Sequence, residues 1–453
     1  MRFNRLGALA LAAATLGACS LDLTNPNAPT PNNTQTTDGV VALATGLQGR
    51  YASTIGNFGY TGGLVTDEFA AVSAALISIS DAEQGAVPPG TGIADAVFNS
   101  IYRTVRSADD VLTALAPLTA QFDPGTVSGI RALAWTVKAD ALGMAIMTYQ
   151  TVPINTFGVT APTYVNRAAA LAYIRALLDS AATGIGATAP STFFNASILT
   201  PGVNLPNVVQ LLRARYARMA GDDATAIAAS NLVGRSGASA LSVLTFPAPN
   251  VNPFANATGG ANGIAPRRSW RLSMVAGDGR AGYFVIASAS LLGRVGTPID
   301  AWNVYASATA SLPVYFPDEA LLIKAEALYN QGTLAPAQAV LDSVRTDCPG
   351  GRGMADPKAC LAALGGPLTA PQLVDEIYNQ RRYELYGTGL RWEDARRRGY
   401  NRGPAPSPAT PLDAQRCWLP YSLGDRNANP NATFAALPDP TEPTVFPAVC
   451  PTP

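Results

Sequence analysis

The strongest constraint in this sequence is a helical period. Between residues 126 and 149 the apolar positions Val127, Ile130, Ala134, Val137, Ala141 and Met144 recur every three or four residues, one stripe along one long helix. The same spacing predicts helices over about 97–115, 167–182, 208–219, 224–233, 318–331, 336–345 and 371–386. Punctuation supports the boundaries. Pro336 and Pro371 suit the first turn of a helix, Asp222 and Asp223 suit a cap, and Gly221 and Gly332 suit a helix end where φ turns positive. Two segments, 208–233 and 318–345, read as helix, tight turn, helix, and each is close to the tetratricopeptide unit of about 34 residues. Ala325, Ala327, Ala337 and Ala339 let such helices approach closely. The expected fold is therefore mainly α, a tetratricopeptide-like scaffold of helical hairpins spanning about 97–233 and 312–398.

Between the helices lie stretches too long for simple connections, whose usual median is about 4–6 residues. They are 49–96, 234–311 and 399–453. The second is rich in Gly, Asn, Pro and aromatic residues, including Trp270, Tyr283, Phe284, Trp302 and Tyr305. Long loops on a rigid scaffold are where binding usually sits, so 49–96 and 234–311 are expected to form an irregular ligand-binding lobe, and 399–453 a C-terminal loop segment. All of 38–453 then reads as one domain.

Composition narrows the chemistry. The 453 residues include no histidine, which removes Ser/His/Asp triads, Cys/His nucleophiles, His-containing zinc sites and haem on a proximal His. Charged residues are 14%, against about 25% in ordinary soluble domains, and 31 basic side chains balance 31 acidic ones. Such a surface lacks the field that would attract nucleic acid, and it suits a neutral ligand better than an ionic one. No Walker-type phosphate loop or Gly-x-Ser-x-Gly elbow occurs, and Gly184-Ile185-Gly186 follows a helix where a dinucleotide fingerprint would follow a strand. No cofactor or metal is expected.

The N-terminus reads as an address. Arg2 and Arg5 precede an apolar run over 6–16, too short to span a bilayer, and Leu16-Gly17-Ala18-Cys19 follows. This is the pattern of a bacterial lipoprotein signal: residues 1–18 are removed and Cys19 is acylated, anchoring the chain to outer-membrane lipid. Residues 19–37, rich in Asn, Pro and Thr, form a lipidated flexible tether. Cys348, Cys360, Cys417 and Cys450 remain. In an exported protein an even count favours disulfides, and the pairs Cys348 with Cys360 and Cys417 with Cys450 close the shortest loops, although three connectivities are open.

The order of these segments resembles the SusD/RagB family of outer-membrane nutrient-binding lipoproteins over nearly the whole chain. The resemblance rests on Cys19 followed by Asn25-Pro26-Asn27, on the Asp67-Glu68 pair, on 102–112, on RALAWTVKADALGMAIMTYQTVP from Arg131, and on the helices from Leu211 and Ala320. Its most specific part is the closing NQRRYELYGTGLRWEDARRRG, where Glu384 leads to Arg391-Trp392 and Asp394. Gln380, Thr388, Lys138, Ala139 and Gln150-Thr151 depart from the usual pattern. The resemblance implies a lipoprotein at the cell surface that captures a glycan, oligosaccharide or peptide and acts as the lid of a SusC-like TonB-dependent transporter. It implies no enzyme.

Sugar recognition uses aromatic faces against C–H surfaces, with amides, carboxylates and Arg on hydroxyls. Loop placement gives the candidates Asn57, Phe58, Tyr60, Asp67, Trp270, Arg280, Tyr283, Trp302 and Tyr305, with Trp270, flanked by Arg268 and Arg271, the best exposed aromatic. Asp67-Glu68 equally suits capping of a helix beginning near Phe69, or calcium. Tyr102 and Trp135 sit on apolar stripes and read as structural. Glu384, Arg391 and Asp394, with Glu326, read as a buried ion network, and 396–398 as a solvated run of arginine. Two rival functions stay open: a His-independent glycoside hydrolase built on two carboxylates such as Asp67 and Asp278, and a periplasm-facing repeat scaffold.

Overall fold

A computed structural model describes residues 35–84, 87, 90, 92–237, 240–247, 250–255, 263–305, 307–349, 356–398 and 417–430. The expected signal segment, Cys19 and most of the expected tether lie outside them, as does Cys450. Ten helices of eight residues or more carry the described architecture: α1 Thr37–Val65, α2 Gly92–Leu115, α3 Pro124–Thr148, α4 Arg167–Ala187, α5 Leu205–Met219, α6 Asp223–Leu232, α7 Glu319–Asn330, α8 Leu334–Arg345, α9 Ala370–Glu384 and α10 Arg391–Arg398.

The expected helices form because their ends are capped and their apolar stripes meet. Asp123 accepts from the Thr126 amide at the start of α3, Asn166 from Ala169 at α4, Asn204 from Asn207 at α5, and Asp222 from Thr225 at α6. Gly221 and Gly332 turn the chain with φ of 78° and 76°, which glycine adopts without steric penalty. Neighbours stack in sequence: α3 on α4, α5 on α6, α7 on α8, with α6 and α9 packed against α7. This is the tetratricopeptide-like scaffold. Among the described residues α4 is apolar and long enough to cross a membrane, but its apolar side packs on α3 and α5.

The first long stretch departs from expectation. Residues 49–65 belong to helix α1, and 77–83 and 92–96 are helical as well. Seven glycines hide α1 in the sequence, since each costs about 1 kcal/mol against alanine in a helix. Packing explains them. A Cβ on Gly59 would lie 2.4 Å from the Gly387 carbonyl oxygen, one on Gly62 2.8 Å from Gly389 Cα, and one on Gly63 2.1 Å from the Phe69 ring. Helix α1 begins at Thr37 with Thr36 as its cap, so the last residue assigned to the tether from sequence is helical.

The second stretch is irregular, as expected, but it is filled. Short antiparallel pairs cross-link it: Phe69–Ala71 with Ile264–Pro266, in register Phe69 to Pro266, then Val285–Ile286 with Ala301–Trp302, and Val243–Leu244 with Leu312–Pro313. Its aromatic residues join the main core, which runs continuously from the helices into the lobe. Phe69 meets Phe254, Trp302 and Tyr386 edge-on at centroid distances of 5.0–5.8 Å. Cys348 and Cys360 are disulfide-bonded to each other and Cys417 is disulfide-bonded, and the segment 417–430 docks by a Leu419 amide donating to the Thr148 carbonyl.

Candidate functional site

Helices α1 and α2 lie side by side, and each presents to the surface between them a stripe at helical spacing that is polar but for Ala96, set among apolar side chains. On α1 the stripe is Arg50, Ser53, Asn57 and Tyr60; on α2 it is Ala96, Asn99 and Arg103. A cleft of about 890 Å³ opens there, lined by Arg50, Ser53, Asn57, Asn99, Arg103 and Asn250 among others. A second cleft of about 530 Å³ shares Ser53, Asn57 and Ala96 and continues to Tyr60, Leu76 and Val251. Together they form one groove along α1. Its floor is closed by hydroxyls: Thr54 Oγ1 lies 2.8 Å from Ser100 Oγ and 2.9 Å from Thr104 Oγ1, and Asn57 Nδ2 donates to Ser100 Oγ at 3.3 Å. Arg50 and Arg103 are exposed and have no ion-pair partner among the described residues. Among the described residues no carboxylate lines either cleft.

Of the nine candidate ligand residues, only Asn57 and Tyr60 line this groove. Phe58 points to the opposite side of α1, buried against Gly389. Trp270 is 0% exposed, stacked on Tyr386 with centroids 3.8 Å apart, and its indole donates to the Arg382 carbonyl at 3.3 Å. The exposed aromatic expected there is a core residue. Its flanking arginines mislead because both turn away to Asp300, Arg271 at 2.6 Å and Arg268 at 3.6 Å. Trp302 and Tyr305 are buried with Phe254. Arg280, fully buried, grips Asp278 at 2.6 Å, Gln380 at 2.7 Å and Glu384 at 3.4 Å. Tyr283 is half-buried and meets Phe284 and Phe316 edge-on.

Asp67 sits in the left-handed region with φ of 60° and lies 3.2 Å from Arg267. The chain leaves it as the strand Phe69–Ala71, so the pair Asp67-Glu68 caps no helix. Glu68 is buried, and desolvation holds its carboxyl up to about 8 against the pull of Arg391 and Arg382. The folded state therefore keeps a proton that an unfolded chain releases near its ordinary value of 4.5. This group's contribution is complete below that value and lost as pH rises to about 8. Glu68→Gln should be about 1–3 kcal/mol more stable than the parent at pH 9, with the gap closing towards pH 4.5, in urea unfolding across that range. A gap independent of pH would refute the assignment.

The closing motif is an ion network. Arg381 donates to Asp394 at 2.8 Å, Arg397 to Asp394 at 3.0 Å and to Glu326 at 2.9 Å, and Arg218 to Glu326 at 2.8 Å. The expected solvated run is not one. Arg396 is buried, donating to the carbonyls of Met147 at 2.6 Å and Cys417 at 2.9 Å, with Trp418 3.7 Å beneath its guanidinium.

No protein-family profile and no curated protein matches the sequence. Solved structures do match. A SusD superfamily protein from Bacteroides fragilis superposes with a TM-score of 0.66 at 17% identity, over 88% of this chain and 99% of that one. NanU of B. fragilis gives 0.67 at 14% identity, covering 90% and 99%. The chain has a SusD-like fold. A SusD-like carbohydrate binding protein from Bacteroides vulgatus shares it at a TM-score of 0.61 and 14% identity, over 78% of this chain and 82% of that one. The SusD-like architecture accounts for the pairing of a helical scaffold with an irregular, aromatic-filled lobe.

Sequence reasoning missed Arg50, Ser53, Asn99, Arg103 and Asn250. The signal was present: Arg50, Ser53, Asn57 and Tyr60 follow a helical period on the polar side. It becomes readable only once the glycine-rich segment is known to be helical.

Proposed function

We propose that this chain is a binding lipoprotein of the cell surface, anchored in the outer membrane through acylated Cys19, that captures an oligosaccharide in the α1/α2 groove. It hands the ligand unchanged to a SusC-like TonB-dependent transporter, over which it sits as a lid. The observation that carries the reading is the groove itself, open, long and lined by amides, hydroxyls, two arginines and apolar side chains such as Leu244 and Val251, with no carboxylate among the described residues. Amides and hydroxyls match the alternating donors and acceptors of sugar hydroxyls. Hydrolysis of a glycosidic bond would require two carboxylates at the ligand, and Asp278, one of the pair considered for it, is bound to buried Arg280. The SusD-like fold shared with a carbohydrate binding protein supports the same reading.

Arg50 and Arg103, facing no acid among the described residues, turn the expectation of a neutral ligand drawn from the balanced charge towards one rich in acceptors, so uronate-containing oligosaccharides should bind more tightly than neutral ones of equal length. Arg103→Ala should weaken the acidic ligand roughly tenfold or more, the worth of one charge-assisted hydrogen bond, without moving thermal unfolding. Calorimetric titration of parent and variant with matched neutral and acidic oligosaccharides measures both. Equal affinity of parent and Arg103→Ala for every oligosaccharide tested would refute the groove as the site. Recovery of a TonB-dependent transporter with the tagged full chain from outer membranes tests the partner, and its absence would count against delivery while leaving capture intact.

A further inference from the structure

The groove along α1 changes character along its length. The cleft of about 530 Å³ that continues the arginine-bearing one holds no charged side chain among the described residues. Its apolar lining is Leu76, Ile79, Ile93, Val97, Val251 and Pro253. These come from three separate stretches of chain: the short helix Ile77–Glu83 with its cap, the first turns of α2, and residues 250–255. Ile79, Ile93 and Val97 are buried at the floor, whereas Leu76 and Val251 stand on the rim, 51% and 39% exposed. Single exposed apolar side chains are ordinary on a protein surface, but apolar residues gathered from several elements around one concavity are the usual lining of a ligand pocket.

The rim is held in place by contacts behind it. Asn252, next to Val251, is fully buried; its side-chain amide donates to the Ala310 carbonyl at 2.7 Å and accepts from the Phe254 N–H at 2.8 Å. Its backbone N–H donates to the Ala308 carbonyl at 2.9 Å. Pro253 rests on α1 where the helix has glycine, since a Cβ on Gly56 would stand 2.7 Å from Pro253 Cγ. Leu76 is fixed by its carbonyl, which accepts from the Ile79 N–H at 3.0 Å, and by the preceding Ala75 carbonyl, which accepts from Arg294. A wall ordered in this way loses little conformational freedom when a ligand lands on it.

We propose that the captured oligosaccharide carries an apolar substituent at one end, of which a phenyl or benzoyl group is the simplest, and that this cleft takes the substituent while the arginine-bearing cleft takes the sugar units. The inference rests on the reading of the groove as the oligosaccharide site. A plain sugar ring has hydroxyls around its edge, and against Leu76, Ile93 and Val251 they would lose water without gaining a partner. An apolar group covers the two exposed rim residues and removes its own surface from water, which for one ring is worth roughly tenfold or more in affinity. Tyr60, half-buried in the same lining, offers an aromatic ring to pack against it. The groove thus reads as a site for an amphiphilic ligand, polar at the end facing Arg50 and Arg103 and apolar at the end facing Leu76 and Val251.

Calorimetric titration of the full chain tests this with matched neutral and acidic oligosaccharides in three forms: the methyl glycoside, the phenyl glycoside, and the methyl glycoside benzoylated at its non-reducing end. The two aromatic forms cover both directions in which a sugar chain can lie in the groove. At least one of them is expected to bind roughly tenfold or more tightly than the plain methyl glycoside. Leu76→Ser and Val251→Ser should each shrink that ratio severalfold, with thermal unfolding little moved because both side chains stand on the rim. Should one variant fail to fold, the other decides. Equal affinity of the parent for all three forms would overturn the apolar subsite while leaving the groove as a sugar site. So would a ratio that survives intact when both substitutions are combined. Failure of the parent to bind any of the three forms would overturn the reading of the groove itself, and this inference with it.

Discussion

Trp270→Ala is expected to cost about 3–5 kcal/mol of folding stability, the range for deleting a large aromatic side chain from a packed interior. The indole is wholly buried, stacked at 3.8 Å on Tyr386 and edge-on to Phe284 at 5.8 Å and Tyr383 at 6.3 Å. Its removal leaves a cavity among rings that cannot collapse, because Tyr386 is itself held by donating its hydroxyl to the Glu68 carbonyl at 2.9 Å. The Arg382 carbonyl loses its donor as well. Trp270→Phe should recover part of the loss, keeping the stack and forfeiting the hydrogen bond. Urea unfolding of the three proteins measures the series, and oligosaccharide titration of the folded variants should show affinity unchanged. Loss of ligand with stability intact would return Trp270 to the binding surface.

That expectation reverses the one drawn from sequence, and the reason is physical. Local polarity around Trp270 is real, but Arg268 and Arg271 spend it on Asp300, a partner 29 residues or more away that no window of sequence displays. Helices were legible because their signals are local: the stripe from Val127 to Met144 places α3, read over 126–149, within two residues of its observed ends. Helix α1 was not, because Gly59, Gly62 and Gly63 answer to Gly387, Gly389 and Phe69, contacts fixed by tertiary structure. The groove inherits that blindness, since its polar stripe acquires a direction only on a helix. Of the network around Glu326, only Glu326 and Asp394 were readable in the dense charge of the closing motif; Glu384 pairs with Arg280 instead, and Arg397, expected in a solvated run, joins the network.

Glu326→Gln tests that network and should cost about 3–5 kcal/mol, the penalty for breaking a buried ion pair from one side. Glu326 accepts from Arg218 at 2.8 Å, Arg397 at 2.9 Å and the Tyr378 hydroxyl at 2.7 Å, with Arg381 at 4.0 Å. Glutamine fills the same space but brings an amide that cannot neutralise guanidinium groups drawn from α5, α9 and α10. Burial alone would raise the Glu326 carboxyl, and Arg397, Arg381 and Arg218 overcome it, holding the group down to about 2. A folded value below the unfolded 4.5 means that the stabilisation is complete above pH 4.5 and lost as pH falls to about 2. The parent should therefore lose its advantage over Glu326→Gln progressively across that acid window, and keep it unchanged from pH 5 to pH 8. Denaturant unfolding of both proteins at stepped pH measures the gap. A gap that persists undiminished at pH 2 would mean that shape, and not charge, ties α7 to the final helices.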